Sequence, residues 1–250
     1  MLKYRLSVPL RLAPFILFLG LTVPDYSYAS NHGGETTDSA EVVVLLHGLG
    51  RNKTAMWVLA ERLEEAGYEV HRIGYRSLKT VPDEMIDTVT TQIEECCGSE
   101  TRTVHFVGHS LGGLLIRAYL QTDHPRLLGN TVLIGTPNNG SEIADHFKDH
   151  ALVEYLFPAA IDLGTDPESL PNRLPPPDYP VGIIAGVVDT ELSEHFFPGP
   201  NDGLVPVEST RLENMTDFVE INTGHSMMRY DKEVAGQVIN FLSKGRFSHD

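Results

Sequence analysis

Short apolar runs rich in β-branched residues alternate along the chain with longer stretches of helical period, and this alternation most constrains the fold. Strands that alternate with helices pair in parallel, because each helix carries the chain back to the start of the next strand. The pattern predicts one α/β domain over residues 30–250, with a roughly six-stranded, mostly parallel sheet and helices on both faces. The expected strands are Val42–Leu46, Glu69–Ile73, Thr103–Val107, Thr131–Ile134, Val181–Ala185 and Phe218–Ile221.

Helices are expected between these strands. Two of them have an apolar face that ends at a glycine, which is a common helix stop. The first face consists of Met56, Leu59, Leu63 and Ala66 before Gly67, and the second of Ile86, Val89, Ile93 and Cys97 before Gly98. Two further helices are expected over about residues 111–121 and 231–243.

The stretch Ser141–Tyr179 interrupts the alternation, with helical patches followed by a proline-rich run. A long insertion after a strand end is where a lid over a site would lie, so we predict a lid over about residues 141–180. A peripheral loop that serves stability alone is the alternative. Its apolar side chains suit an acyl-binding wall and the core of a lid helix equally well: Phe147, Leu152, Tyr155, Leu156 and Phe157.

The N-terminal segment has the pattern of a signal peptide. Lys3, Arg5 and Arg11 accompany an apolar run over residues 12–23, and small residues at Ser27 and Ala29 fit a cleavage site. The run is shorter than the roughly 20 residues that a membrane span needs, so cleavage after Ala29 is favoured over a retained anchor. We therefore expect a periplasmic or secreted protein without a stable membrane span.

The chain is strongly acidic, with a formal net charge of −15. Such a chain repels nucleic acid and anionic membrane surfaces, so nucleic acid is not an expected partner. The only two cysteines, Cys96 and Cys97, are neighbours and form no metal-ligand pattern. We expect two packed thiols in preference to a strained bridge between neighbours.

The segment Gly108-His109-Ser110-Leu111-Gly112-Gly113 lies between an expected strand and an expected helix. Glycines on both sides allow a tight, strained turn that exposes the Ser110 hydroxyl at the sheet edge. The start of the following helix favours developing negative charge. Ser110 is therefore the candidate nucleophile.

His225 is the candidate base, because it follows the last expected strand and so lies at the same sheet edge as Ser110. The side chain of His109 is expected to point away from that of Ser110. Asp202, in Asn201-Asp202-Gly203-Leu204-Val205-Pro206, would orient the imidazole, and the chain order Ser, Asp, His is usual for such a triad. Asp189, just after a strand, is the competing acid.

An oxyanion formed during attack needs two backbone N–H donors. One is expected from Leu111, the residue after the nucleophile. The other is expected from Leu49, in the turn His47-Gly48-Leu49-Gly50 after the first strand.

Together these motifs resemble the α/β-hydrolase superfamily, and most of all its bacterial lipase and esterase branch. The matching segments, in the family's order, are residues 47–50 (HGLG), 108–113 (GHSLGG), 135–141 (GTPNNGS), 201–206 (NDGLVP) and 224–226 (GHS). The resemblance implies the α/β-hydrolase fold and carboxylic-ester hydrolysis through an acyl-enzyme, without a cofactor or a metal. The chain departs from the family in lacking extra strands before Val42 and the calcium motif that some secreted lipases carry after the histidine.

The resulting hypothesis is a serine esterase or lipase that acts on small-molecule or lipid esters. A thioesterase or acyltransferase would use the same triad, so both remain alternatives. A non-catalytic binding module on this fold is a more remote one, since such proteins usually lose a triad member.

Overall fold

A computed structural model describes residues 39–147, 155, 158–188 and 199–249. Within them the chain forms a six-stranded sheet in the order β2-β1-β3-β4-β5-β6, and every pair of neighbouring strands is parallel. The predicted α/β class and the parallel sheet are therefore confirmed. The predicted signal peptide, residues 1–29, lies outside the described residues.

The six strands occupy the predicted positions, with small differences at their ends. They are β1 Val42–Leu46, β2 Glu69–Ile73, β3 Val104–His109, β4 Leu128–Ile134, β5 Val181–Gly186 and β6 Asp217–Ile221. The largest difference is at β4, which begins three residues before the predicted Thr131. Its first residues, Leu128–Asn130, are only half-buried, and the β3–β4 register is irregular between Val104 and Phe106. This strand start has little of the apolar pattern from which strands are predicted.

Helices connect the strands at the predicted places. Those of the described chain are α1 Trp57–Glu65, α2 Pro82–Cys97, α3 Leu111–Thr122, α4 Glu142–Phe147, α5 Pro158–Ile161, α6 Leu170–Arg173, α7 Val207–Thr210 and α8 Lys232–Lys244. The start of α2 at Pro82 suits a residue whose fixed φ and missing N–H cost nothing in a first turn. Ala66, expected on the apolar face of the first helix, lies just beyond the end of α1 and is exposed.

The core has one layer on each side of the sheet. Side chains of β1 alternate, so that Val42, Val44 and Leu46 face α2 and α3, whereas Val43 and Leu45 face α1 and α8. All five are fully buried. A strand covered on both faces has a continuous apolar sequence, as VVVLL does here.

The loops after the strands converge at one edge of the sheet. The chain turns back at β1, whose neighbours are β2 on one side and β3 on the other. In open parallel sheets, ligands bind outside the carboxyl ends of the strands near such a reversal. Residues that follow β1, β3, β4, β5 and β6 can therefore meet in one place.

Arg117 of α3 holds the insertion to the body of the domain. Its guanidinium donates to the Asn138 carbonyl at 3.2 Å, just before the insertion, and to the Leu174 carbonyl at 3.0 Å, within it. Burial lowers the pKa of Arg117 to about 10. Residues 148–154, 156 and 157 lie outside the described residues, and a lid over residues 141–180 stays a prediction.

Cys96 and Cys97, at the end of α2, are joined in a disulfide between neighbours. The bridge is the alternative that the sequence favoured less. It closes no long loop and so restricts the unfolded chain little. Within the described part of the chain, no helix has both the length and the apolar character that crossing a bilayer requires.

We expect two helical glycines to respond in opposite directions to alanine. A Cβ at Gly112 in α3 would lie 2.6 Å from the carbonyl oxygens of Leu46 and His47, whereas one at Gly236 in α8 meets nothing within 4 Å. Gly112→Ala should lower the free energy of unfolding by about 1–3 kcal/mol through overpacking. Gly236→Ala should raise it by about 0.5–1 kcal/mol through helix propensity. Urea unfolding of both variants measures the difference, and equal effects at the two sites would contradict the close approach of α3 to β1.

Candidate active site

Ser110 is the residue at the turn from β3 into α3. Its backbone has φ 56° and ψ −127°, a region that residues with a side chain rarely occupy. The turn is fixed on both sides, because the Ser110 N–H donates to the Ile134 carbonyl and the Ser110 carbonyl accepts from the Gly113 N–H, both at 2.9 Å. This is the strained strand-turn-helix geometry that the glycine-flanked motif predicts.

His225 lies between Ser110 and Asp202. Its Nδ1 is 2.7 Å from Asp202 Oδ2, and its Nε2 is 3.1 Å from Ser110 Oγ. A carboxylate can only accept, so Nδ1 carries the proton and Nε2 is free to accept from the Ser110 hydroxyl. The imidazole is thus held in the tautomer that can remove a proton from the serine.

Asp202 is buried and held by its own loop. Its Oδ1 accepts from the N–H groups of Leu204 at 2.9 Å and Val205 at 2.7 Å, which leaves Oδ2 for the imidazole. The backbone N–H of His225 also donates to the Asp202 carbonyl at 2.9 Å. The competing acid, Asp189, lies outside the described residues.

Gly135, directly after β4, passes beneath the pair of His225 and Asp202. It has φ +54°, and a Cβ there would lie 3.1 Å from Asp202 Oδ2 and 3.3 Å from His225 Nδ1. A side chain would push into the hydrogen bond that orients the imidazole. This close approach explains the glycine that begins the GTPNNGS segment.

The two predicted oxyanion donors, Leu49 and Leu111, are both near Ser110. Leu111 is the first residue of α3, where backbone N–H groups have no partner within the helix. Leu49 lines the same cavity as Ser110. Donation from these two N–H groups to an oxyanion stays a prediction.

The loop that carries Leu49 is fixed by His47 and Tyr75. The Tyr75 hydroxyl donates to the His47 carbonyl, and the two rings stack with centroids 4.0 Å apart. His47 Nδ1 donates to the Gly48 carbonyl at 2.9 Å. Burial raises the pKa of Tyr75, which keeps its hydroxyl protonated and able to donate. Tyr75 was not singled out by the sequence, because it lies in a loop after β2 with no motif around it.

The cavity beside Ser110 has a volume of about 390 Å³. Away from Ser110 and His225 the cavity is mostly apolar. Its walls come from the loop after β4, the insertion and the loop of Asp202: Pro137, Ser141, Ala144, Ala160, Leu163, Leu204 and Val205. Of the five residues proposed from sequence as an acyl-binding wall, Leu152, Leu156 and Phe157 lie outside the described residues. Tyr155 is 64% exposed. Among the described residues, the insertion lines the cavity through Ser141 and Ala144 near its start and Ala160 and Leu163 in its middle.

Parts of the chain match known proteins. Residues 42–162 match the palmitoyl protein thioesterase family model. Triacylglycerol lipases of Pseudarthrobacter phenanthrenivorans and Burkholderia plantarii are 30% identical to 43% of this chain. The matches cover 36% and 32% of those lipases, so the chain spans about a third of the length of these relatives.

Solved structures show the same fold. The Bacillus licheniformis lipase BlEst2 in its propeptide form has a TM-score of 0.63 and 21% identity, over 75% of this chain and 47% of that one. The metagenomic carboxyl esterase MGS0156 has a TM-score of 0.57 and 18% identity, over 75% of this chain and 65% of that one. The chain has the α/β-hydrolase fold. The predicted resemblance to its lipase and esterase branch is confirmed.

The candidate site contains a further histidine that sequence reasoning missed. His109 was expected to point away from Ser110, yet its ring packs against that of His225 with centroids 4.8 Å apart. Its Nε2 donates to the His225 carbonyl at 2.8 Å, which helps to fix the loop that carries His225. Burial, with His225 as a second cause, holds the pKa of His109 well below its usual value. The neighbouring glycines identified the turn but carried no signal about its histidine.

Among the described residues, no group of three or more His, Cys, Asp and Glu side chains is arranged to hold a metal ion.

We expect the free energy of unfolding of this protein to decrease as the pH falls from 7.5 to 5.5. Burial lowers the pKa of His47, His105 and His109, so below about pH 6.5 the unfolded chain binds protons that the native chain does not. Each histidine that stays neutral should cost about 1 kcal/mol of unfolding free energy by pH 5.5. Urea unfolding across this range measures the slope. His105→Gln, at a site far from Ser110, should reduce the pH dependence of the unfolding free energy by the contribution of one proton. An unfolding free energy that does not change with pH in the parent protein would contradict the burial effect.

Proposed function

We propose that this protein is a serine hydrolase that cleaves carboxylic esters through an acyl-enzyme. The observation that carries the proposal is the continuous chain of hydrogen bonds from Ser110 Oγ through His225 to Asp202, with distances of 3.1 and 2.7 Å. A serine hydroxyl is a weak nucleophile until a base removes its proton. The strained turn at Ser110 presents the hydroxyl in the cavity where a substrate would lie.

The proposed reaction follows from these contacts. His225 Nε2 takes the Ser110 proton while Oγ attacks the acyl carbonyl, and Asp202 stabilises the imidazolium that results. The N–H groups of Leu49 and Leu111 hold the oxyanion, and each donor lowers the activation barrier by about 2.7–4 kcal/mol. His225 then protonates the leaving alcohol, and a water activated by the same imidazole releases the acid and regenerates Ser110.

The cavity supports a substrate with an apolar acyl group. Ala144, Ala160 and Leu163 of the insertion and Leu204 and Val205 of the acid loop line it, and apolar walls with few polar groups are typical of such sites. We propose that residues 141–180 act as a lid whose inner side contacts the acyl chain. The pattern of residues 1–29 supports export of the protein to the periplasm or the medium.

A thioesterase is the second candidate, because residues 42–162 match a model for palmitoyl protein thioesterases. The triad would attack a thioester carbonyl in the same way, with a thiol as leaving group in place of an alcohol. Rates for an oxygen ester and a thioester of the same acyl chain separate the two activities.

The nucleophile can be tested with a fluorophosphonate probe and a series of short and medium p-nitrophenyl acyl esters. The parent protein should be labelled and should hydrolyse at least part of the series. Ser110→Ala should lose labelling, and its kcat/KM should fall by about 10⁴-fold or more, as when the nucleophile of a triad is removed. Ser243→Ala, which removes an exposed serine of α8, is the control and should match the parent. Equal labelling of the parent and Ser110→Ala would refute the assignment.

The oxyanion loop can be tested through Tyr75. Tyr75→Phe removes the hydrogen bond to the His47 carbonyl and loosens the loop that carries the Leu49 N–H. We expect kcat to fall by about fivefold, the equivalent of about 1 kcal/mol, with little change in KM. Tyr119→Phe is the matched control, since it also removes a buried tyrosine's hydrogen bond, to Glu94, away from the cavity. It should lower stability but not kcat, and the same kcat loss in both variants would argue against a positioning role for Tyr75.

A further inference from the structure

A second cleft, with a volume of about 520 Å³, adjoins the active-site cavity. The two share Arg51, which lines both. Arg229 also lines the cleft, so two arginines border one space beside the proposed triad. The proposed reaction assigns no role to either of them.

Neither arginine has a carboxylate partner among the described residues. The ion pairs of that part of the chain include neither Arg51 nor Arg229. This is unexpected in a chain with a formal net charge of −15, where acidic side chains outnumber basic ones. Two like charges close together, without an acid between them, attract an anion.

Arg229 is the more unusual of the two, because only 3% of its surface is exposed. Its Nη1 donates to the Ala55 carbonyl at 3.0 Å, and its Nε has no partner among the described residues. Burial lowers the pKa of Arg229, the adjacent Tyr230 partly offsets this, and the charge of Arg51 lowers the pKa further. A buried cation without a counter-ion is costly, and a bound anion would offset that cost.

Arg51 connects this cleft to the loop that carries His225, which the leaving group has to face. The alcohol portion of an ester receives its proton from His225, so it has to face that imidazole. Ser226 directly follows His225 and lines the active-site cavity, and Arg51 Nη2 is 3.5 Å from its Oγ. The apolar walls from the insertion and the acid loop are left for the acyl group.

We propose that Arg51 and Arg229 form an anion-binding subsite for the alcohol portion of the substrate. This rests on the proposed function and adds a substrate class to it: esters whose leaving group carries a phosphate or a carboxylate. Arg51, at the junction of the two cavities, contacts the anionic group as the substrate enters. Arg229 supplies fixed positive charge from the floor of the cleft.

The test uses butyrate esters of phenols that differ only in the para substituent. One carries a phosphate, one a carboxylate, one a neutral ethoxy group and one a trimethylammonium group. The parent protein should have a kcat/KM for the better anionic ester at least about tenfold above that for the neutral ester, and the cationic ester should be poorest. The preference should shrink with added salt. The phosphate and carboxylate arms distinguish the two anion sources.

Arg51→Gln should reduce the anionic-to-neutral ratio about tenfold, and Arg51→Lys should restore part of it, because it keeps the charge without the planar fork. Arg126→Gln is the matched control, since it removes an exposed arginine just before β4, at the opposite edge of the sheet. It should leave the ratio at the parent value. An anionic-to-neutral ratio that is the same in Arg51→Gln as in the parent would overturn the subsite.

A binding measurement keeps this test separate from the proposed function. Titration of Ser110→Ala with 4-hydroxyphenyl phosphate in a calorimeter should give saturable binding that weakens about tenfold when Arg51→Gln is added. If the parent hydrolyses none of the esters, the proposed function fails and this titration alone decides the subsite. If the parent hydrolyses all four esters equally, the subsite fails and the proposed function stands.

Discussion

The hydrogen-bonded chain from Ser110 through His225 to Asp202 is the constraint on which the rest of the site depends. Its three residues come from the loops after β3, β5 and β6. The serine and the histidine are 115 positions apart in sequence. A parallel sheet brings such loops together because all its strands end at one edge. The residue that follows β4, the strand between β3 and β5, lies too close to His225 and Asp202 to carry a side chain, and it is Gly135. The strain at Ser110 and the glycine contacts around it follow from the same need for short distances.

The charges around the site are arranged in keeping with this geometry. Asp202 is the acid that faces His225 in the described chain, while His47 and His109 remain neutral because burial lowers their pKa values. The neutral imidazole of His109 next to His225 donates a hydrogen bond to that residue without adding a cation that would compete for Asp202. The positive charge lies instead with Arg51 and Arg229, beyond Ser226. The surroundings of Ser110, His225 and Asp202 therefore have an apolar side and a basic side.

Much of the fold followed from local pattern. Val42–Leu46 was predicted to its ends, because a strand buried on both faces is apolar at every position and is bounded by polar residues or turns. The start of β4 at Leu128 was missed, since half-buried strand ends carry no such pattern. The bridge between Cys96 and Cys97 and the exposure of Ala66 depend on how the ends of α2 and α1 are positioned, and residue spacing does not specify these.

The sequence by itself determined the sheet, the strained turn at Ser110 and the two residues, Asp202 and His225, that come within hydrogen-bond distance of each other. Each of these depends on chemistry that adjacent residues must supply, such as glycines beside a turn or a strand before a loop. Their catalytic roles stay predictions. The tertiary structure alone decided that Tyr75 fixes the loop of His47, that His109 packs on His225 and that Arg51 and Arg229 share a cleft. Those contacts join segments far apart in the chain, and a contact that depends on packing leaves no mark in the order of neighbouring residues.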